Sequence, residues 1–537
     1  MARPYEVLDA FWLPASLRAL TRDMEWEVHH VAAGRPVPPG EGVAVRWPRP
    51  THAQWKALLT GLRAARGPAA PDLVARWQQA LGAVPEILVR RPDMLETIAR
   101  YTGYPSAMLA LAFTQGELVR LDAMAQVLRD VPTWAAARSW QPMLGGLPGA
   151  VRFFPARPLD RWTAAPRGRA PLFRPLPPVS WAVGFAAGNV PGNGLLIALL
   201  LHIANHTRLV AGPQMPPLVL VRNSRQAPLL APWVLSAIEQ VDPELVGGLA
   251  MLVWDYDDAT LQRALLAQAD LVMAAASDLS ISSIDAHLRA LRKPIRFHRH
   301  GHKVSFAVLG RAALGEDPAL PARLAALDST FWDQYGCLSA RVHFVERGGR
   351  FSPTEYATAL SDAMCRLAER LPRGVAPRRL LHRAYDIYKL LESTGDVYVL
   401  TGYDDDYLVV IDQRDWNDDQ WRETVNRCTG RVVVVRPVDD LAQVAARYLC
   451  RLPSANLQSV SVAVSAERTL ELAEGAGRCG VTALRSLGHA AFPQLAYSWD
   501  GLLPLDLGNH HPPGYFTTLE TEDPLADLAL TASRLGL

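Results

Sequence analysis

A chain of 537 residues is too long for one simple core and implies two or three domains. Its 49% hydrophobic and 20% charged residues are those of a globular protein that folds in water, and a net charge of +2 leaves no field suited to nucleic acid. The longest apolar runs, 107–113 and 195–201, fall well short of the ~20 residues of a membrane span, and the N-terminus shows no signal-peptide core, so a soluble, cytoplasmic protein is expected.

Residues 1–50 are rich in Pro and Gly and read as irregular, anchored by aromatics such as Phe11 and Trp12. From Thr51 to Val131 the apolar spacing is helical, as at Leu58, Leu62, Met108, Leu109 and Leu111, with a break at 103–106 where Ser106 starts a new helix. Residues 145–178 carry eight prolines and six arginines, which predicts a surface-wrapping segment with edge strands. It reads as a basic strip for a phosphorylated ligand or, more simply, as a solvated connector. Strands then alternate with helices: 179–187, 218–221, 250–254 and 271–274 read as strands, with helices at 195–205, 229–241, 259–267 and 281–291. That alternation predicts a parallel sheet of Rossmann type. Alternation continues from Pro294, with strands at 303–309, 432–435 and 459–464, a helix or strand holding 342–345, a helix at 356–370 and a hairpin over 397–411. After Pro493 the chain reads as loop.

Five cysteines, at 337, 365, 428, 450 and 479, form no CxxC pair, and this odd, scattered set predicts neither a disulfide framework nor a zinc site. Cys337 stands apart because it follows Gln334-Tyr335-Gly336 at a junction between a loop and the next element. A thiolate there would attack thioesters or aldehydes, whereas the alternative is a buried core cysteine. Asn189, in Gly188-Asn189-Val190-Pro191-Gly192 after a buried strand, could donate to an oxyanion or simply form a turn. Arg222 and Arg225 flank Asn223-Ser224 at another strand end, where guanidinium groups suit a phosphate or ribose, or else lie on the surface. His298, His300 and His302 alternate along one strand, yet no Asp, Glu or Cys stands nearby in sequence to complete a metal site, and none is assigned. Asp404-Asp405-Asp406 reads as a solvated hairpin tip.

In this order the segments resemble the aldehyde dehydrogenase superfamily and, within it, the LuxC-type acyl-CoA reductases, a family that includes the fatty acid reductase of bacterial bioluminescence. Ala187-Gly188-Asn189-Val190-Pro191-Gly192 is similar to the family's AGNVPG loop, 301–306 to its GxKVSF strand and 333–339 to its nucleophile segment. Leu457-Gln458-Ser459-Val460 and Trp499-Asp500-Gly501 resemble its LQTVG and DG segments. The resemblance spans roughly 51–501.

It implies an α/β, aldehyde dehydrogenase-like fold. Residues 1–150 would form an irregular and helical region, 151–299 a Rossmann-type cofactor-binding domain, 300–498 an α/β catalytic domain carrying Cys337, and 499–537 a C-terminal tail over a neighbouring subunit of a homo-oligomer. It further implies that Cys337 attacks an acyl-CoA or acyl-carrier-protein thioester, with Asn189 and the Cys337 amide holding the oxyanion. NADPH, or NADH in its place, would then release an aldehyde. Cofactor contacts would come from Gly188, Pro191, Arg222, Ser224, Arg225, Ala276 and Ser277. Arg225, where NAD-preferring relatives carry an acid, favours NADPH. An acyl-activating enzyme is an expected partner. Three departures stand out: Ala276 replaces a glycine in the phosphate turn, Arg299 replaces the water-activating glutamate, and Arg427 stands near the place of a second glutamate. Two other readings stay open: a thioester-processing acyltransferase without hydride transfer, and a non-catalytic scaffold for a partner enzyme.

Overall fold

The computed structural model describes residues 6–68, 72–89, 92–115, 141–142, 150–155, 178–205, 215–492, 499–501 and 516–537. The end of the predicted helical run, 116–131, and most of the Pro- and Arg-rich segment therefore lie outside the described residues. Among those described are a four-stranded, a five-stranded and a ten-stranded sheet.

The first sheet corrects the expectation that residues 1–50 are irregular. Strands β1 (Val7–Asp9), β2 (Glu25–Ala32), β3 (Arg35–Pro36) and β4 (Val43–Arg49) assemble in the order β1-β4-β2-β3. Its glycines make the turns between strands rather than preventing them: Gly34, Gly40 and Gly42 all take positive φ. Helices His52–Ala65, Leu73–Val89, Pro92–Thr102 and Ser106–Gln115 follow, the first opened by a Thr51–Gln54 capping box. Strands β5 (Gln141–Pro142) and β6 (Ala150–Pro155) come next in the chain but join the largest sheet.

The five-stranded sheet comprises β7 (Trp181–Phe185), β8 (Leu218–Arg222), β9 (Leu249–Leu252), β10 (Leu271–Ala275) and β11 (Arg296–His300), all parallel. Strands β7 to β10 are buried along their whole length, which is why they read as continuous apolar runs rather than alternating ones. Their order is β11-β10-β7-β8-β9, so the chain first builds outward from β7 and then returns to its other side. The switch between β7 and β10 opens a crevice at the carboxyl ends of these strands. Trp12 bonds Met251 in both directions, at 2.7 and 2.9 Å, and so joins the N-terminal region to the outer strand β9.

The ten-stranded sheet runs β14-β15-β16-β13-β12-β17-β18-β19-β6-β5. It contains β12 (Val304–Leu309), β13 (Ala340–Glu346), β14 (Val397–Val399), β15 (Leu408–Asp412), β16 (Val432–Val438), β17 (Leu457–Ala463) and β18 (Ala483–Ser486). Besides β5 and β6, from far earlier in the chain, it recruits β19 (Phe516–Leu519) from the end. The segment that reads as terminal loop thus holds a strand, followed by helix Pro524–Leu535. Pairing to β18 and β6, invisible in a four-residue stretch, creates that strand. A second correction concerns the cysteines: Cys450 and Cys479 form a disulfide. They are 29 residues apart in sequence and meet because helix Ala442–Arg447 packs on helix Ala466–Cys479. No helix among the described residues is long and apolar enough to cross a membrane.

Candidate active site

Cys337 lies between a short helical turn, Phe331–Gln334, and β13. Three consecutive residues of that turn, Trp332, Asp333 and Gln334, have φ of +55°, +49° and +62°. Left-handed backbone costs a non-glycine residue about 1–2 kcal/mol, so three in a row need external restraint. Asp333 and Gln334, both fully buried, supply it. One oxygen of Asp333 accepts from Arg431 Nε and Nη2 at 2.9 and 2.7 Å, and the other from the Gly374 and Ala376 amides. Gln334 spans to Ala340 and to both polar groups of the Val432 backbone.

The carbonyl of Cys337 accepts from Ser305 Oγ at 2.8 Å, and Ser305 is itself tied to Ser459 on the neighbouring strand β17. The thiol therefore sits at the amino ends of β12, β13 and β17. Burial pushes it up to about 12, and the Asp500 carboxylate adds to the rise, against the Gln458 amide and Lys303, which favour the thiolate.

Asn189 arrives from the other sheet. Its Nδ2 donates to the Tyr335 carbonyl at 2.8 Å, two residues before the thiol. The carbonyl of Asn189 accepts from Tyr104 Oη at 2.7 Å, and the Tyr104 ring meets Trp332 edge-on at 5.0 Å. The N-terminal helices thus brace both loops at once. One of the two amide protons of Asn189 is committed to Tyr335, leaving the second for a ligand.

The other predicted positions divide. Gly188 packs so closely that an added Cβ would fall 2.2 Å from Ser224 Oγ. Ser224 is buried and accepts from the Gln226 amide, and Pro191 lines a small cleft together with Tyr101 and Pro228. Arg222 is buried beneath Tyr256, donates to the Trp254 carbonyl at 2.8 Å, and is lowered from its ordinary value by desolvation. Arg225 pairs with Asp255 and lies 3.6 Å from Glu27. Ala276 donates its amide to the His300 carbonyl, and Ser277 caps helix Asp278–Ala290 through the Ser280 amide.

The family model for acyl-CoA reductase (LuxC) matches residues 183–507, more than half of the chain. The chain belongs to the LuxC acyl-CoA reductase family. It is accordingly an oxidoreductase that reduces acyl groups to aldehydes. No curated relative matches it. Among solved structures, it is similar to lactaldehyde dehydrogenase from Escherichia coli (12% identity, TM-score 0.59, covering 96% of this chain and 98% of that one). It is also similar to Δ-pyrroline-5-carboxylate dehydrogenase from Mycobacterium tuberculosis (13%, 0.58, 96% and 90%). A Mycobacterium tuberculosis aldehyde dehydrogenase complexed with NAD+ gives 13%, 0.56 and 97% of each chain. At this identity the likeness establishes an aldehyde dehydrogenase-like fold.

For a LuxC reductase, the fate of position 299 is informative. Arg299 is exposed and held by Asp285 at 2.6 Å, so it brings no carboxylate to the thiol. Arg427 ends helix Asp418–Arg427 beside Tyr388. The alternating histidines are not used as a set: His300 instead bonds Asp500 at 2.8 Å and stacks on Trp499. Sequence reasoning missed the Asp333–Arg431 clamp, the Tyr104 brace and the Glu27 contact, since each crosses at least 85 residues of chain. The Trp-Asp-Gly motif at 499–501 was the signal for Asp500.

Proposed function

We propose that the chain reduces an acyl thioester, acyl-CoA or carrier-bound, through an acyl-Cys337 intermediate. The observation that supports this reading is the 2.8 Å hydrogen bond from Asn189 to Tyr335, which ties a side-chain amide from one sheet to the loop that carries Cys337 on the other. On attack, the thioester oxygen becomes an oxyanion and takes the second Asn189 proton together with the Cys337 N–H. Arg299, tied to Asp285, leaves water at the acyl-enzyme without a carboxylate base from that position.

A nicotinamide dinucleotide, when bound, supplies hydride to the acyl carbon. Residues 181–300 would hold it and the ten-stranded sheet the thiol. The residues fit such a group at the β7–β10 crevice. Leu279, 83% exposed on the first turn of helix Asp278–Ala290, offers an apolar face at the crevice. Asp278, in the first turn of this helix, accepts from the His302 amide at 2.8 Å, so part of its charge is engaged at the helix end that would face a pyrophosphate. Gly188, Pro191 and Ser224 shape the loops of the crevice, Arg222 lies beneath them, and Ala276 and Ser277 turn the chain into the helix. Asp255 and Glu27 already engage Arg225, so its charge does not by itself select a 2′-phosphate, and either NADPH or NADH would serve as hydride donor.

The test is intact mass after incubation with a panel of acyl-CoA and carrier-protein thioesters. An acyl adduct confined to Cys337, cleared by NADPH or NADH with release of aldehyde, is expected. Absence of adduct with every thioester refutes the proposal, and an adduct that neither cofactor clears leaves an acyltransferase.

A further inference from the structure

Near Cys337 lies a buried histidine–carboxylate pair, whose carboxylate acts on the thiol. His300 ends β11 and Asp500 lies 200 residues on, at φ +53°, with both side chains at most 4% exposed. Asp500 Oδ2 stands 2.8 Å from His300 Nδ1, so the carboxylate accepts Nδ1–H and places the free lone pair at Nε2. Trp499 stacks on the imidazole at 4.0 Å and 24°, which fixes the plane of the ring. Lys303 Nζ lies 3.7 Å from the second Asp500 oxygen and donates to the Ala455 carbonyl at 2.6 Å. Nε2 itself is buried and has no hydrogen-bond partner among the described residues. A buried acceptor without a donor is unfavourable, and such groups persist where a reacting proton completes them.

Ser305, five residues beyond His300, holds the Cys337 carbonyl, and the Asp500 carboxylate that orients His300 also acts on the thiol, alongside Lys303 and Arg341. Burial favours the protonated thiol at neutral pH, so attack is helped by a base.

We infer that His300, oriented by Asp500, carries the proton in acyl transfer to Cys337. This rests on the acyl-Cys337 reading above. Nε2 takes the S–H proton as the sulfur bonds to the thioester carbon. When the tetrahedral adduct collapses, the bond to the leaving sulfur breaks with its electron pair, and Nε2–H returns the proton to that sulfur. One thiol and one thioester enter, one acyl-cysteine and one thiol leave, and nothing is oxidised. His300 is thus a catalytic residue and Asp500 a positioning residue.

The test is single-turnover acylation of the full chain without nicotinamide, read by intact mass from pH 6 to 9. Two esters of one acyl chain are compared: the CoA ester, whose thiol leaves with a proton, and a nitrothiophenyl ester, whose thiolate leaves without one. His300→Gln is expected to slow CoA-ester acylation about 10²–10⁴-fold at pH 7. The aryl ester should lose at least tenfold less, and the variant's rates should climb about tenfold per pH unit as hydroxide replaces the base. Asp500→Asn, a near-isostere that serves should His300→Gln fail to fold, is expected to show the same change of profile with a smaller loss. Equal slowing of both esters with an unchanged pH profile is a structural effect and overturns the assignment. Failure of the unaltered protein to form any adduct overturns the acyl-Cys337 reading instead, so the two failures are distinct.

Discussion

The turn before the thiol offers a quantitative test, because a buried ion pair helps to hold its three left-handed residues. Asp333 and Arg431 are 0% and 1% exposed. Arg431→Met would leave the Asp333 carboxylate facing only the Gly374 and Ala376 amides. Breaking a buried pair from one side costs about 3–5 kcal/mol. The left-handed backbone it restrains stores about 3–6 kcal/mol over three residues, so the clamp and the strain are of similar size. Loss of the clamp should therefore both destabilise the protein and let the turn relax, displacing Cys337. Urea unfolding followed by tryptophan fluorescence should show the transition destabilised by about 3–5 kcal/mol, with acylation of Cys337 slowed under conditions where the variant is fully folded. Asp333→Asn alone should cost a similar amount, since it strands the guanidinium. The double variant buries no charge, and the carboxamide that replaces the carboxylate can still accept from one backbone amide, so about half or more of the summed loss should return. A single-variant cost below about 1 kcal/mol, or strict additivity in the double variant, would refute the reasoning.

Asn189→Ala should lower acylation about 10²–10³-fold, with little change in overall stability, as loss of one oxyanion donor does; stopped mass analysis with one acyl-CoA measures it. Glu346, buried against Arg311 and Arg468, is pulled up by desolvation but held at about 2 overall by those two hydrogen-bonded guanidinium groups. A depressed carboxylate contributes stability above its ordinary 4.5 and loses it as pH falls toward 2. Glu346→Gln should therefore cost roughly 2–3 kcal/mol at pH 7, and the gap to the unaltered protein should narrow steadily below pH 4.5; a gap independent of pH would contradict the pairing. Cys450→Ser should lower stability by about 3.5 kcal/mol, as expected for a cross-link between residues 29 apart. Intact mass before and after a thiol reductant should show the oxidised chain two hydrogens lighter.

The sequence was most legible where local pattern and burial agree. Strands β7 to β10 are apolar runs because both faces are covered, and their alternation with helices was enough to read a parallel sheet. Cys337 and Asn189 were legible as motifs, and the structure sets their loops in contact. The strands β2 and β19 were not legible, since polar or very short segments become strands only when a neighbour supplies the ladder. The same holds for Arg225: its charge suggested a phosphate site, but Glu27, contributed by β2, and Asp255 already balance it.

Fold class and family follow from the chain alone, because they reside in short motifs and in periodicity, which act over a few residues. How Cys337 is held, and what surrounds it, is settled only once the sheets have closed. Asp333 meets Arg431, His300 meets Asp500, and Tyr104 spans Asn189 and Trp332 across 98, 200 and 85 or more residues. Such contacts are fixed by strand order and sheet closure, and no local property of the chain encodes them.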